Sequence, residues 1–206
     1  MCRRPAVVCT ALGAFPDLWP TGQPLPIPQG AREAAHAVTA AVEAARIGDA
    51  TAVREVLLPL NQIALQDWFC DHAQHAYRFR AAQFCLEPVV PVAKDLRDRP
   101  YPFVAMERDV YQRDDGCCRY CGIRVYMRGD LRRVSALAGD DLFAMGSTNR
   151  TRAGAMMIAR ATADHVLPVT QGGRTTPDNL VTACWPCQFG KSSFTPEQLG
   201  MRSPLM

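Results

Sequence analysis

Alanine fills residues 31–47, and Val38, Val42 and Ala45 recur there at helical spacing, which predicts an amphipathic helix closed by Gly48. Asp49 stands where an N-cap belongs, and a second helical stretch runs from it to Leu58 before Pro59 breaks the pattern. From residue 60 to about residue 84, Ile63, Leu65, Trp68, Phe69, Ala76 and Phe79 mark mostly one face of a third helix. The next stretch, holding Pro88, Pro91, Pro100 and Pro102, has no period and reads as a connection. Residues 106–113 form a short helical segment ended by the turn signal Asp114, Asp115, Gly116. Beyond it Ile123, Val125 and Met127 alternate with Arg124, Tyr126 and Arg128, a strand period. Residues 138–154 follow neither period and read as a loop, whereas 156–169 suit extended structure. Thr195, Pro196, Glu197 and Gln198 combine a capping box with proline at the first helical position and predict a last helix start.

This pattern divides the chain into an irregular proline-rich arm (1–30), a helical region (31–86) without an assigned role, a proline-rich connection (87–104) and a domain over 105–206 with an insertion at about 127–155. A length of 206 residues fits one or two domains, and 48% apolar against 21% charged residues excludes wholesale disorder. No run approaches the ~18 apolar residues of a membrane span. The net charge of +3 hides an asymmetry: residues 1–96 sum to −1 and residues 97–206 to +4. Of the basic groups in the second half all but Lys191 are arginine, whose planar fork suits phosphate oxygens. The N-terminus resembles a signal peptide, but Pro5 interrupts it and no clear cleavage site follows, so a cytoplasmic protein is expected.

Nine cysteines are too many and too odd in number for a simple disulfide scaffold. Cys118 and Cys121 form one C-x-x-C pair and Cys184 and Cys187 another. Each pair offers two thiolates from one turn, and two such turns make the tetrahedral four-cysteine site that structural zinc prefers. Cys117 is an alternative to Cys118, although the C-x-x-C register favours the latter. His72 and His75 have an H-x-x-H spacing without an accompanying cluster, and Trp68, Phe69, Tyr77, Phe79 and Phe84 read as a packed face rather than a base-stacking one.

Between the cysteine pairs lie Asp164-His165 with Pro168, then Gly172-Gly173 and Asn179-Leu180-Val181, and Gln188 and Lys191 follow the second pair. Phosphodiester hydrolysis needs an activated water and a cation to take up charge. His165 is the only histidine after residue 75 and the single candidate base of this half; Asp164 beside it offers a hard oxygen for Mg²⁺ or Mn²⁺. Neighbours on a strand face opposite ways, so the two serve one site only if the strand ends or twists there. In order and spacing, residues from about 110 to 199 resemble the HNH endonuclease family, in its variety with a four-cysteine zinc. The resemblance implies an α+β fold with a zinc-stapled ββα-metal (His-Me finger) domain, here behind an N-terminal all-helical region. It further implies a DNA nuclease with His165 as general base, Asn179 as the residue that ties the loop and orients the base, and Asp164 and Gln188 as ligands to the catalytic Mg²⁺ or Mn²⁺. Cys118, Cys121, Cys184 and Cys187 would hold structural Zn²⁺, and Lys191 and Arg174 are the basic groups placed against phosphates. Gln188 departs from the histidine or asparagine usual at its position. The alternatives are a catalytically weakened zinc-containing DNA- or partner-binding module and a nuclease acting on RNA. The helical region is a candidate surface for a homodimer or a protein partner, and no membrane association is expected.

Overall fold

Small side chains set the geometry of the first helices. The computed structural model describes residues 23–75, 90–94, 97–98 and 103–205. Helix α1 (Gln29–Arg46) buries Ala31, Ala34, Ala35, Val38, Ala41, Val42 and Ala45, a stripe narrow enough to let neighbouring backbones come close. Asp49 caps α2 (Ala50–Leu57) by accepting from the Ala52 amide, and Asn61 caps α3 (Gln62–Asp71) through the Ala64 amide. A short 3₁₀ turn, Ala73–His75, follows. The expected continuation through Ala76, Phe79 and Phe84, together with Tyr77, Arg78, Arg80, the arm up to residue 22 and half of the connection, lies outside the described residues.

In the second half, α4 (Phe103–Arg113) leads to the turn at residues 114–116, then α5 (Arg128–Ala138), the single turn α6 (Asp140–Phe143) and α7 (Gly154–Ala159). Strands β1 (Ala161–His165) and β2 (Leu180–Cys184) pair antiparallel from Ala161↔Cys184 to His165↔Leu180, and α8 (Trp185–Lys191) continues directly from β2. The fold is mixed, several helices and, among the described residues, one two-stranded sheet. None of the described helices is long and apolar enough to cross a membrane.

Four local expectations change. The alternation at 123–127 forms no ladder, because its bridging residues are divided between partners: Arg124 bridges Cys117, and Tyr126 bridges Arg160. The insertion at 127–155 opens with a helix that the sequence reading leaves unassigned: Leu131, Val134 and Ala138 give α5 a buried helical face just before the stretch read as a loop. The start of the extended stretch is instead α7, in which all six residues are buried and no amphipathic period survives to distinguish helix from strand. At Thr195 the capping box forms, with Thr195 N–H donating to Gln198 Oε1 and Gln198 N–H to Thr195 Oγ1, yet only one turn follows. Gly200 takes φ +64° and the Met201 amide reaches back to the Pro196 carbonyl, which ends it.

The core runs without a break from α1 and α3 to the cysteines of the second half. Helix α7 lies on α1 and α3, and α5 on α1 and α2. Gly154 makes one approach possible: a Cβ there would meet Leu65 and the α3 backbone at Gln62 and Gln66. Gln62 Oε1 accepts from the Ala155 amide, Gln66 donates to the Arg150 and Arg152 carbonyls, and Arg150 pairs with Asp67 and Asp71. These bonds pin the 144–154 segment onto α3. Phe69 of α3 meets Trp185 and Phe189 of α8 with ring centroids 6.1 and 5.5 Å apart, so this helix is seated on the N-terminal half.

Candidate active site and metal centre

A tight turn supplies the first two thiols. Cys118 N–H donates to the Ile123 carbonyl and Gly122 N–H to the Cys118 carbonyl, curling the chain so that Cys118 and Cys121 face inward. Cys184 ends β2 and Cys187 sits in the first turn of α8, its amide donating to Cys184 Sγ at 3.4 Å. The four sulfurs lie within 4.8 Å of one another and all four residues are buried. Cys121 and Cys184 Sγ are 3.7 Å apart; a tetrahedron with ~2.3 Å metal–sulfur bonds requires about 3.8 Å. Cys117 stands apart, its thiol on the Asp115 carbonyl, so Cys118 is the member of the group. Burial pushes the Cys118 thiol up, but hydrogen bonds from Cys121, Cys184 and Cys187 outweigh it and hold Cys118 well below the usual thiol range. Burial and the neighbouring sulfur atoms push Cys184 and Cys187 well up. Four thiols that cannot all ionise alone can do so around a dication, and the group is suited to hold a metal such as zinc. Neither His72 nor His75 joins a metal-type cluster among the described residues.

At the end of β1 the side chains of Asp164 and His165 go to different partners. Asp164, 6% exposed, takes a 2.7 Å hydrogen bond on Oδ2 from the Tyr120 hydroxyl. Lys191 Nζ lies 3.2 Å from the same oxygen and donates to the His165 carbonyl at 2.8 Å. Lys191, placed by sequence against phosphates, is only 1% exposed; its stem closes α8 onto β1. An unpaired charge at that depth is costly, so lysine and carboxylate depend on one another. Burial raises the Asp164 carboxyl, with Lys191 and Tyr120 opposing, and burial beside Asp164 pushes the Tyr120 hydroxyl well up.

His165 is half-buried, with Nε2 2.8 Å from the Thr175 hydroxyl. Burial and the Lys191 charge lower its pKa, while Asp98 acts the other way. Asp98 also accepts from the Thr175 amide, so the proline-rich connection reaches the same corner. The loop between β1 and β2 is closed by Asn179: its Oδ1 accepts from the Leu167 amide at 2.8 Å, and its Nδ2 donates to the Leu167 and Arg174 carbonyls at 3.0 and 2.7 Å. Gly173 passes so close to the Leu167 carbonyl that no Cβ fits between them. Arg174 is exposed on this loop, and Gln188 is half-buried on α8.

Several contributors escape the sequence reading. Asp114, taken there only as part of a turn, is buried and accepts from the Thr182 amide at 2.7 Å. Arg113 pairs with it and donates to the Pro177 and Leu180 carbonyls, clamping β2 against the end of α4. Tyr120 was visible as an intervening residue of the first C-x-x-C, and Thr175 as a close neighbour of Gly172-Gly173. Asp98 carries no local signal at all.

Residues 158–204 match the family model described as HNH endonuclease. The matched segment, less than a quarter of the chain, carries β1, the Gly-Gly loop, β2, the second cysteine pair and α8. Over that segment the chain is similar to the HNH endonuclease family. No curated protein and no solved structure matches the chain.

Proposed function

We propose that the chain is a metal-dependent HNH endonuclease that hydrolyses DNA phosphodiester bonds, with β1, β2 and α8 forming a ββα-metal unit stapled by structural zinc on Cys118, Cys121, Cys184 and Cys187. The observation that carries this reading is the setting of His165: it ends β1 inside the HNH-type segment, its ring rests on Thr175, and the loop beyond it is bound by the Asn179 amide. Burial and the Lys191 charge favour the neutral imidazole, the form that accepts a proton from water. Asn179 and Thr175 fix loop and ring, so that little reorganisation is left for the reacting state.

Asp164 and Gln188 carry the hard oxygens that would hold Mg²⁺ or Mn²⁺; Tyr120 and Lys191 both act on Asp164 Oδ2 and fix its carboxylate. Such a cation, when bound, supplies charge for the phosphate and the departing oxygen. Arg174, exposed on the loop, is placed to meet the substrate backbone, and Lys191 acts on the site through Asp164 and the His165 carbonyl. The thiol group suits a reducing cytoplasm. Gln188 favours one second reading, a zinc-containing module that binds DNA or a partner without cutting.

Incubating zinc-loaded protein with supercoiled plasmid and each divalent ion tests the choice. Cutting that requires Mg²⁺ or Mn²⁺ is expected. An inert parent whose Gln188→Asn variant gains cutting would support the binding module, and a matched RNA panel separates DNA from RNA as substrate.

A further inference from the structure

Two arginines lie over one tryptophan, and a third lines the same pocket, at the end of the sheet remote from His165. Arg152 and Arg160 both lie over the Trp185 indole, their guanidinium carbons 5.3 and 5.8 Å from the ring centroid. With Arg128, Met145 and Met156 they line a pocket of about 110 Å³. None of the three guanidinium groups forms an ion pair among the described residues. Arg152 is held from behind by Asn149 and the Ser147 carbonyl, whereas the Nε of Arg160 is buried without a partner among the described residues. Burial lowers the Arg160 pKa, and Arg128, Arg152 and Arg132 lower it further against Glu107.

Like charges gathered at one pocket, with one buried donor left unmatched, make a site that an anion would complete. The indole face is already taken by guanidinium groups, so it is not a platform for a base. The volume decides the size of the guest: sites for drug-sized molecules measure roughly 300–1,000 Å³, and this pocket has room for a single phosphate group. Arg160 precedes β1 and Trp185 follows β2, so five residues of strand, about 16 Å, separate the pocket from His165. One phosphate cannot serve both places. At ~3.4 Å per nucleotide along a strand, that separation is on the order of five base steps.

We infer that Arg152 and Arg160 over Trp185, together with Arg128 at the same pocket, form a second phosphate site that grips the nucleic-acid backbone away from the scissile bond. The inference rests on the reading of the chain as a nucleic-acid enzyme and adds to it a binding site built largely from the 128–160 region.

The test is fluorescence-anisotropy binding of a DNA duplex over a salt series, without added divalent ion. The parent is compared with Arg128→Gln, Arg160→Gln and, as a charge-matched control on the exposed end of α1, Arg46→Gln. Arg128 is exposed, so its variant keeps the fold even if Arg160→Gln does not; zinc content and melting temperature verify both. Each pocket variant should bind several-fold more weakly and reduce the slope of log K against log salt by about 0.9, with Arg46→Gln at the parent value. Parent-like affinity and slope in Arg128→Gln, or no duplex binding by the parent, would overturn the site. Inorganic phosphate serves as competitor: phosphate binding that depends on Arg160, with the duplex slope unchanged in both variants, would overturn the assignment to a strand. Plasmid cutting measured on the same proteins separates this site from the nuclease reading. Unchanged slopes with intact cutting remove the pocket alone, and slopes that fall while no ion supports cutting remove the nuclease alone.

Discussion

His72 ends α3 fully buried, and neither ring nitrogen has a partner among the described residues. Burial lowers its pKa, with Asp71 opposing. The folded protein therefore keeps the ring neutral as pH falls through the ordinary value near 6.5, while the unfolded chain takes up the proton. Its contribution to stability is present above that pH and is lost below it. His72→Leu should gain about 1 kcal/mol at pH 7 by removing unmatched polar atoms and should flatten the decline of melting temperature between pH 7 and pH 5. Parallel pH curves for the two proteins would contradict this. The sequence shows His72 only as half of an H-x-x-H spacing. Its environment comes from packing against distant residues, which no local pattern encodes. Lys191 gives the same lesson in reverse: its position four residues after Cys187 was legible, but its burial against Asp164 depends on where α8 meets β1.

At the scale of elements, legibility follows amphipathicity. Helices α1 and α2 could be read because each carries an apolar stripe and a punctuating residue, Gly48 or Asp49. Helix α7 could not, because it is apolar on all sides, and α5 goes unassigned between the alternating stretch and the residues read as a loop. The cysteine pairs were legible for a different reason, since ligand spacing is a local property of a turn, and the structure unites the two pairs across 62 residues. Those four sulfurs hold the 118–121 turn against the junction of β2 and α8, elements that share little other ladder. Losing the metal should therefore loosen the sheet itself. We expect about one zinc per chain by elemental analysis. Cys184→Ser should lose it and melt roughly 6–12 °C lower, corresponding to about 3 kcal/mol for a chain of this size. Full zinc retention with unchanged melting would contradict a structural role.

Over the whole molecule, the N-terminal helices support the site rather than standing apart from it. Phe69 stacks against Trp185 and Phe189 of α8, and α1 and α3 cover α7, which leads into β1. This arrangement was invisible in the sequence because the two halves share no motif and meet only through complementary small and large side chains, such as Gly154 against Leu65. The candidate residues stood out as a set because the order Asp164-His165, Asn179, Gln188 and Lys191 has a chemical logic, whereas the contacts of Tyr120 with Asp164, of Thr175 with His165 and of Asp98 with Thr175 depend on the fold. The central claim is that His165, so held, takes a proton from water. Single-turnover plasmid cleavage by the parent and His165→Ala across a pH series tests it most directly. The parent rate should fall as pH drops below the ordinary imidazole value, since burial lowers the pKa of the ring, and His165→Ala should be about 10²–10⁴-fold slower without that fall. A variant that cuts as fast as the parent with the same pH profile would contradict the account.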